Sequence, residues 1–318
     1  MNYLILREPN YSRASDRIRI QPWIVSANFK NYKVKYWSNT KDILSLIYKL
    51  RYHNLVFLLS KEFTMKGLIL SITNIYREKI RIVHDICDLD ITRKRKSIRQ
   101  HIRSALAKTI IKLSDVVVVP THNMHQAIFT NYPCNKITII HDILDIKFLP
   151  KSCTLHQESS KKEINVGWFG TSGSKNLLFR KVLIESESFH IFQNFIIYSV
   201  NKNSNLRFKI LTDNIKQVDN LLKEKIGSGY KNIIDLNQYQ LKMLGPFFQK
   251  TKNILLTYGT SDFSKTKSTN RVDTSLWLGK RTFTYGEPDE WKISEKYLEG
   301  QYQHCDSFDQ IIKLLNSS

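Results

Sequence analysis

The chain has 318 residues, enough for two domains of average size, and 42% of them are hydrophobic, which suffices for well-packed cores. Forty-nine Lys and Arg residues against 28 Asp and Glu give a net charge of +21, so the surface attracts anions such as nucleic acid, acidic lipid head groups or phosphorylated small molecules. The four cysteines, Cys87, Cys134, Cys153 and Cys305, form no CxxC pair and have no zinc-type His spacing, which argues against a disulfide framework and a structural metal site. No stretch approaches the roughly 18 consecutive apolar residues that are needed to span a bilayer. The apolar run at the start of the sequence is too short for a signal peptide. We expect a soluble or peripheral protein of the cytoplasm.

The first half of the chain alternates β-rich runs with helical patterns. A helix is expected from about Ser15 to Asn28. Strands are predicted at Tyr3–Leu6, Val34–Trp37, Leu55–Leu59, Ile80–His84, Val116–Val119 and Lys136–Ile140. This alternation is typical of a parallel sheet covered by helices on both faces.

From Pro150 to Glu163 the sequence becomes polar and loses its periodicity, as a linker does. The same rhythm then resumes, with a final helix at Ser307–Leu315. Strands are predicted at Ile164–Phe169, Arg207–Leu211, Ile233–Leu236, Asn253–Thr257 and Arg281–Tyr285. We therefore predict two Rossmann-like, doubly wound α/β domains facing a cleft: residues 1–150, a linker at 151–163, and residues 164–318.

The loop after the first strand of the second domain reads INVGWFGTSGSKN, residues 164–176. Its glycines allow a close backbone approach, so the amides near Thr171 and Ser172, beside Gly170, would face an anion, and Lys175 would add charge. The spacing matches neither a Walker loop nor GxGxxG. A turn that merely joins strand to helix is the alternative.

A second anion-binding feature is TKSTNRVDTSLWLG, residues 266–279. Ser268 or Thr269 is placed to cap a helix that starts near Asn270, buries Val272, Leu276 and Trp277, and stops at Gly279. Lys267 and Arg271 flank a helix start whose dipole is already positive, which is unfavourable unless an anion lies between them. Two solvated cations at a helix start are the alternative.

These motifs, with the G-K-R-T-F strand at 279–283, resemble the C-terminal half of GT-B glycosyltransferases of the family-4-like kind, of the surface-polysaccharide type. SRASDRIRIQPW (12–23), LSDVVVVPTHNMHQAI (113–128) and KITIIHDILD (136–145) are similar to segments of their N-terminal half. The resemblance covers nearly the whole chain. It implies a nucleoside-diphosphate-sugar donor in the C-terminal domain, an acceptor at the N-terminal domain, and no metal or other cofactor. The diphosphate would meet Gly170, Thr171, Ser172, Lys175, Lys267, Ser268, Thr269, Asn270 and Arg271.

The chain departs from this family at one position. Retaining members carry a Glu-x7-Glu pattern whose second Glu commonly contacts the donor's ribose, and the matching residue is Thr274. The neighbouring Asp273 would project about 100° away around the helix. The sequence therefore supports neither a ribose-binding carboxylate at this position nor an assignment to the retaining class.

Polar residues follow a predicted strand of the first domain in HDICDLD, residues 84–90. Clustered carboxylates and an imidazole at a strand's carboxyl end can supply a general base, so His84, Asp85 and Asp88 are our catalytic candidates. A DxD-like metal site and simple loop solvation are the alternatives. Arg13, Arg17 and Arg19 are candidates for binding the acceptor or a phosphate, against the alternative of solvated helix residues.

The segment from Thr92 to Lys112 carries seven cations between Arg93 and Lys108 with no acid among them. Its apolar stripe is expected at Ile98, Ile102, Leu106, Ile110 and Leu113. The stripe predicts a surface helix, and the charge predicts attraction to an anionic membrane.

We expect a cytoplasmic glycosyltransferase, peripheral on the inner face of the cell membrane, that moves a sugar from a nucleoside-diphosphate donor to a bacterial-type surface glycan or lipid-linked acceptor. A noncatalytic polyanion-binding protein is the alternative. No recognised nucleic-acid motif stands out, which disfavours nucleic acid as the partner. A nucleotide-sugar epimerase on the same fold is a further, less favoured alternative.

Overall fold

The structure is a computed structural model that describes residues 1–10, 16–60, 65–75, 78–86, 98–131, 136–142, 144, 149, 163–175, 183–267, 269–286 and 301–317. The chain divides into two compact units. The first comprises Met1–Ile143 with Thr266–Ser268, and the second comprises Leu144–Lys265 with Thr269–Ser318.

The first unit is built on a six-stranded sheet in the order β2-β1-β3-β4-β5-β6, in which every pair is parallel. The strands are β1 Asn2–Arg7, β2 Lys33–Trp37, β3 Asn54–Ser60, β4 Ile80–Asp85, β5 Val116–Val119 and β6 Ile137–Ile139. A π-helical turn at Asp16–Ile20 leads into the helix α1. The helices are α1 Gln21–Phe29, α2 Thr40–Lys49, α3 Met65–Ile75, α4 Ile98–Leu113 and α5 His122–Asn131.

The predicted strands of the first unit are all present, because strands buried on both faces are continuous hydrophobic runs in the sequence. Leu55, Phe57 and Ile82 are fully buried in its core. The stripe expected along α4 is wrong at Ile102, which is 58% exposed. Ile110 is buried as predicted and Leu106 packs against the same core, but Ala107 and Ile111, outside the predicted stripe, are also fully buried, so the buried side is shifted around the helix.

The second unit contains a six-stranded parallel sheet and a small antiparallel hairpin. The strands are β7 Ile164–Gly170, β8 Gly173–Lys175, β9 Leu183–Glu185, β10 Leu206–Thr212, β11 Ile234–Gln238, β12 Asn253–Thr257, β13 Arg281–Tyr285 and β14 Tyr302–Cys305. The helices are α6 Glu187–Asn201, α7 Ile215–Ile226, α8 Leu244–Gln249, α9 Asp262–Lys265, α10 Asn270–Trp277 and α11 Phe308–Asn316, with 3-10 turns at Ser228–Asn232 and Leu241–Met243.

The main sheet of the second unit has the order β11-β10-β7-β12-β13-β14. When only the six strands of this sheet are numbered along the chain, the order is 3-2-1-4-5-6, that of dinucleotide-binding Rossmann domains. The strand order reverses between β7 and β12. In such sheets ligands bind beyond the carboxyl ends of the strands at this switch point.

An aromatic cluster packs the strand β7, at the switch point, against the helix α6. Trp168 is fully buried on β7, with its ring 5.3 Å from Phe189 and 5.5 Å from Phe192 on α6. Its Nε1 donates to Thr257 Oγ1 at 3.2 Å, which ties β7 to the end of β12. The strand ends at the switch point are therefore held by packed core.

Some elements differ from the prediction. The strand β14 and the hairpin β8–β9 were not predicted, and Trp277, expected to be buried, is 55% exposed. Val272 and Leu276 are buried as predicted. Among the described residues, no helix is long and apolar enough to cross a membrane.

Candidate functional site

The candidate site lies at the carboxyl ends of β7 and β12 in the second unit. Arg271, on the first turn of α10, is the residue that reaches the end of β7. Its Nη1 donates to the carbonyl of Phe169 at 3.1 Å, and its guanidinium carbon lies 4.7 Å from the centroid of the Tyr258 ring. One cation is therefore fixed at the switch point by a backbone carbonyl and an aromatic face.

Tyr258 follows β12 directly and is only 2% exposed. Burial raises the pKa of Tyr258 to about 12, although the neighbouring Arg271 acts in the opposite direction. The phenol is thus neutral at physiological pH. The ring of Tyr258 supports the guanidinium of Arg271, and the neutral phenol does not cancel the positive charge of that guanidinium.

Gly170 ends β7 at the point where Arg271 passes over the backbone. Its φ is +153°, and an added Cβ would lie 2.6 Å from Nη1 of Arg271. A side chain here would displace the guanidinium, so glycine is required by both the backbone and the contact. The group that approaches Gly170 in the structure is the Arg271 guanidinium, and the predicted approach of an anion stays a prediction.

The rest of the Gly-rich loop differs from the predicted anion cradle. The amide and the hydroxyl of Ser172 each donate to Asp213 Oδ1 at 2.9 Å, and Ser172 is fully buried. The expected diphosphate contact of the Ser172 amide is at odds with this geometry, because a carboxylate already accepts that N–H. Thr171 is exposed, while Lys175 ends β8 and its side chain lies outside the described part of the structure.

The chain does not pass from the Gly-rich turn into a helix, since the hairpin β8–β9 intervenes before α6 begins. Ser186 caps α6 by accepting from the Phe189 amide at 3.2 Å, and its hydroxyl also approaches the Thr171 carbonyl at 2.8 Å. The first βα crossover therefore returns to the strand end, so that the start of α6 also lies at the switch point.

A carboxylate that belongs to no predicted motif, that of Glu187, lies at this start. Glu187 Oε2 accepts hydroxyl hydrogen bonds from Ser261 at 2.7 Å and from Ser264 at 2.6 Å. A Cβ added to Gly259 would overlap the same carboxylate. The only sequence signals for Glu187 are its place after a helix-capping serine and the glycine that follows β12.

The start of α10 has an acid within its first turn. Thr269 is the N-cap residue, but among the described residues its side chain caps no backbone amide and instead donates to Asp273 Oδ2 at 2.7 Å. Thr274 is 7% exposed, with its hydroxyl 3.3 Å from Asn270 Oδ1. Thr274 therefore presents no carboxylate where the family pattern has one. Asp273 places a negative charge in the same first helical turn as Arg271.

The other predicted cations and polar groups of this stretch are only partly described. Ser268 lies outside the described residues. Lys267 is half-buried and groups with the first unit, whereas Thr269, Asn270 and Arg271 belong to the second. Within the second unit the structure brings Arg271 to Gly170.

In the first unit, the predicted residues Arg19 and Asp85 form a buried ion pair. Arg19 Nε donates to Asp85 Oδ1 at 3.1 Å, and Arg19 Nη2 contacts the same carboxylate. Arg19 Nη1 also donates to the carbonyl of Ile140 at 2.6 Å and to Asp142 Oδ1 at 3.0 Å. Because Arg19 is 3% exposed and Asp85 0%, this network packs the ends of β4 and β6 to the π-helical turn, and neither group faces solvent.

His84 precedes Asp85 on β4 and is fully buried. Burial lowers the pKa of His84 to about 3, so its imidazole is neutral at physiological pH. The burial of His84 and Asp85 argues against direct contact with an acceptor, and their catalytic roles stay predictions. Asp88 and Arg13 lie outside the described residues, as does the side chain of Arg17.

The described part of the chain contains no group of three or more His, Cys, Asp or Glu side chains that could hold a metal ion. A cavity of about 560 Å³ opens at the amino ends of β7 and β10, lined by Asn165, Arg207, Lys209, Asp219 and Tyr230 among others. It lies at the edge of the sheet opposite to Arg271.

No protein-family model matches the chain, and comparison with curated proteins finds no match. Solved structures do match. TarM superposes with a TM-score of 0.58 at 9% identity, over 86% of this chain and 50% of TarM. A point mutant of S. aureus TarM has also been solved in complex with fondaparinux, α-GlcNAc-glycerol and UDP. The chain thus spans about half the length of TarM.

Two further structures are similar. The catalytic domain of starch synthase IV from Arabidopsis thaliana, bound to ADP and acarbose, gives a TM-score of 0.57 at 8% identity, over 87% of this chain and 68% of that one. A putative UDP-N-acetylglucosamine 2-epimerase from Listeria monocytogenes gives 0.57 at 10% identity, over 99% of this chain and 88% of that one. At these identities the likeness concerns the fold, and it confirms the prediction: the chain has two doubly wound α/β domains of the GT-B type.

Proposed function

We propose that the protein is a glycosyltransferase that takes a sugar from a nucleoside-diphosphate donor bound in the second unit, at the carboxyl ends of β7 and β12. The acceptor is a surface glycan or a lipid-linked glycan. The observation that carries the proposal is the position of Arg271, a guanidinium fixed by the Phe169 carbonyl and the Tyr258 ring at the switch point of a Rossmann sheet.

A guanidinium at this position suits the chemistry of sugar transfer. When the bond between the sugar and the diphosphate breaks, negative charge builds on the departing phosphate oxygen. A planar fork of N–H donors binds phosphate through paired hydrogen bonds, and its charge stabilises the developing anion. Because Arg271 is already held in place, little reorganisation is needed when the donor binds.

The neighbouring groups fit a diphosphate at the same place. The first turn of α10 directs its amide N–H groups and its positive dipole end outward from the helix start, and Arg271 belongs to this turn. Gly170 has no side chain, which lets the Arg271 guanidinium lie against the backbone at the end of β7. We assign the donor contact to Arg271, Gly170, Thr171, Thr269 and Asn270, with Lys175, Lys267 and Ser268 as further candidates.

The catalytic base is proposed to come from the first unit. His84 and Asp85 are buried, and Asp85 is neutralised by Arg19, so Asp88 is the stronger candidate of the predicted three. Arg13 and Arg17 remain our candidates for holding phosphate on the acceptor. The role proposed for Arg19 becomes structural, because its guanidinium is buried between Asp85 and Asp142. We further propose a cytoplasmic protein whose segment 92–112 lies at an anionic membrane.

Thermal-shift measurements with UDP, ADP, GDP and CMP test the donor site, since a ligand that binds the folded state alone raises the melting temperature. We expect one of these nucleotides to stabilise the protein at millimolar concentration, and the corresponding nucleotide sugar to be consumed when an acceptor glycan is added. A protein that responds to none of them, and that binds heparin or DNA with a steep dependence on salt, would instead be the noncatalytic polyanion binder.

An epimerase is a second candidate, and a specific observation favours it. The match to the putative UDP-N-acetylglucosamine 2-epimerase covers 99% of this chain and 88% of the epimerase chain. The match to TarM covers 50% of the TarM chain. The two activities separate in one experiment, because an epimerase converts the nucleotide sugar without an acceptor. NMR of UDP-N-acetylglucosamine incubated with the protein alone would show inversion at C2 for an epimerase, and an unchanged sugar for a transferase.

A further inference from the structure

The helix α2 has a second, outward-facing apolar ridge. Its inner side packs on the core through Ile43, with Leu46, Ile47 and Leu50 against the same cluster. About 100° around the helix from Ile43 and Ile47, Leu44 is 52% exposed and Tyr48 is 69% exposed. Tyr52, just beyond the helix, is 73% exposed. A spacing of four places Leu44 and Tyr48 on one face of the helix, and Tyr52 is linked to Tyr48 by the Arg51 guanidinium, which lies over both rings.

Isolated exposed apolar side chains are common on soluble proteins and need no explanation, but a continuous row of them marks a contact surface. Here a leucine and a tyrosine lie on the exposed flank of a helix that already buries its inner side, and a second tyrosine follows in the next turn of the chain. The row is therefore unnecessary for folding of the first unit.

Cations border this ridge. Lys41, Lys49 and Arg51 are exposed on and beside the same face. The acid in this stretch, Asp42, is engaged at the helix start, where its carboxylate accepts from the Ser38 hydroxyl at 2.6 Å and from the Asn39 amide at 3.2 Å. These hydrogen bonds lower the pKa of Asp42, with the Ser38 hydroxyl as the largest cause. Lys41 and Lys49, two turns apart, bracket Leu44 and Tyr48 with positive charge.

Arg51 determines which kind of anionic partner fits. Its guanidinium lies 4.6 Å from the centroid of the Tyr48 ring and 4.8 Å from that of Tyr52. Stacking of nucleic-acid bases requires open aromatic faces, and this cation occupies one face of each ring. A bilayer interface instead accepts tyrosine and leucine side chains among lipid head groups, while flanking lysine and arginine groups reach the lipid phosphates.

We propose that the outward face of α2 and the turn after it, made by Lys41, Leu44, Tyr48, Lys49, Arg51 and Tyr52, docks on an anionic phospholipid bilayer. The ridge enters the head-group region and the three cations bind lipid phosphate. This surface is separate in sequence from the basic segment 92–112, and it requires no assumption about the reaction. Anchoring through α2 would hold the first unit against the membrane.

Vesicle co-sedimentation of the full chain tests the proposal. We expect binding to vesicles of phosphatidylglycerol and phosphatidylcholine, weak binding to phosphatidylcholine alone, and a loss of binding as salt rises. Tyr48→Ser with Tyr52→Ser should lower the apparent affinity at least about tenfold. Lys41→Gln with Lys49→Gln should do so by about the same factor.

Matched controls separate this face from general effects. Phe129→Ser with Val200→Ser removes two side chains of 47% and 39% exposure elsewhere on the chain, and should leave vesicle binding unchanged. Lys108→Gln with Lys112→Gln removes the same charge from α4, in the segment 92–112 that we also propose lies at a membrane, and so compares the two surfaces rather than serving as a control. If this α4 variant loses binding while both α2 variants retain it, the proposal is overturned in favour of α4.

Two other outcomes would also overturn the proposal. One is equal binding to neutral and anionic vesicles. The other is that the α2 variants bind a mixed-sequence oligonucleotide more weakly than the wild type does, while their binding to vesicles is unaffected. That result would assign the face to nucleic acid. Circular dichroism of each variant verifies that the fold is intact.

Discussion

Arg271 lies over the ring of Tyr258, with its guanidinium carbon 4.7 Å from the ring centroid, at the switch point between β7 and β12, where the strand order of the Rossmann sheet reverses. Cation and ring come from different elements, α10 and the end of β12. The contact therefore positions a charge at the place where this type of sheet binds its ligands. The donor site that we propose is built around this pair.

Replacing Arg271 should weaken nucleotide binding without unfolding the protein. For Arg271→Ala we predict a loss of about tenfold to a hundredfold in affinity for the nucleoside diphosphate, the range expected for hydrogen bonds to a charged group. Arg271→Lys should recover only part of it, because lysine lacks the planar fork. Isothermal titration calorimetry measures both.

Arg281→Ala is the matched control for this prediction. Arg281 also lies over an aromatic ring, at 4.9 Å from the centroid of Phe283, but it starts β13 and so belongs to the opposite edge of the sheet. We expect its nucleotide affinity to equal that of the wild type. Equal losses in the Arg271 and Arg281 variants would point to a nonspecific charge effect.

Gly170→Ala should damage the site through geometry. The added Cβ would lie 2.6 Å from Nη1 of Arg271, and a φ of +153° is unfavourable for alanine. We predict destabilisation of about 1–2 kcal/mol together with reduced nucleotide affinity, because the guanidinium must move. Chemical denaturation and calorimetry check the two effects.

Gly229→Ala serves as its counterpart, since a Cβ there would meet no other described atom within 4 Å. This variant should match the wild type in nucleotide affinity. Unchanged affinity in Gly170→Ala as well would mean that Arg271 does not bind the diphosphate from the position seen here.

The buried pair of Arg19 and Asp85 yields a prediction about stability. Asp85→Ala leaves a buried guanidinium without one of its two carboxylates, which should cost about 3–5 kcal/mol in the free energy of unfolding measured with urea. Arg81→Gln, which breaks the exposed contact with Asp115, should cost at most about 1 kcal/mol. A fully stable Asp85→Ala protein without turnover would return Asp85 to the catalytic role.

His84 predicts a pH dependence of stability. Its pKa in the fold is about 3, below the usual 6.5, so between these values the unfolded chain binds a proton that the folded chain does not. The contribution of His84 to the free energy of unfolding is thus fully present above pH 6.5. It decreases by about 1.4 kcal/mol per pH unit as the pH falls toward 3.

Urea unfolding at pH 7 and pH 5 measures this effect. The wild type should lose about 2 kcal/mol more than His84→Gln over this interval, in which most carboxylates stay ionised. The same pH dependence in both proteins would show that His84 is not the titrating group.

The central strands of both sheets could be predicted from the sequence, whereas an edge strand and two short strands could not. Strands such as Asn253–Thr257 were placed correctly because burial on both faces leaves an uninterrupted apolar run. Tyr302–Cys305 was missed because it is an edge strand of mixed polarity, whose pairing with β13 depends on tertiary packing. The hairpin β8–β9 was missed because its strands have three residues each.

The candidate site was only partly predictable for a related reason. Arg271 was identified because a cation at a helix start breaks a local rule. Tyr258 and Glu187 were not identified, because their relation to Arg271 and Gly259 arises only when strand ends converge. Arg19 and Asp85 were assigned to function although they pair with one another, since nothing local links residues 66 positions apart.

A crystal structure of the protein with UDP, or with whichever nucleoside diphosphate stabilises it, tests the central claim most directly. We predict that the diphosphate lies against the guanidinium of Arg271 and the backbone of Gly170, at the carboxyl ends of β7 and β12. A nucleotide bound instead in the cavity at the amino ends of β7 and β10, between Arg207 and Tyr230, would contradict it.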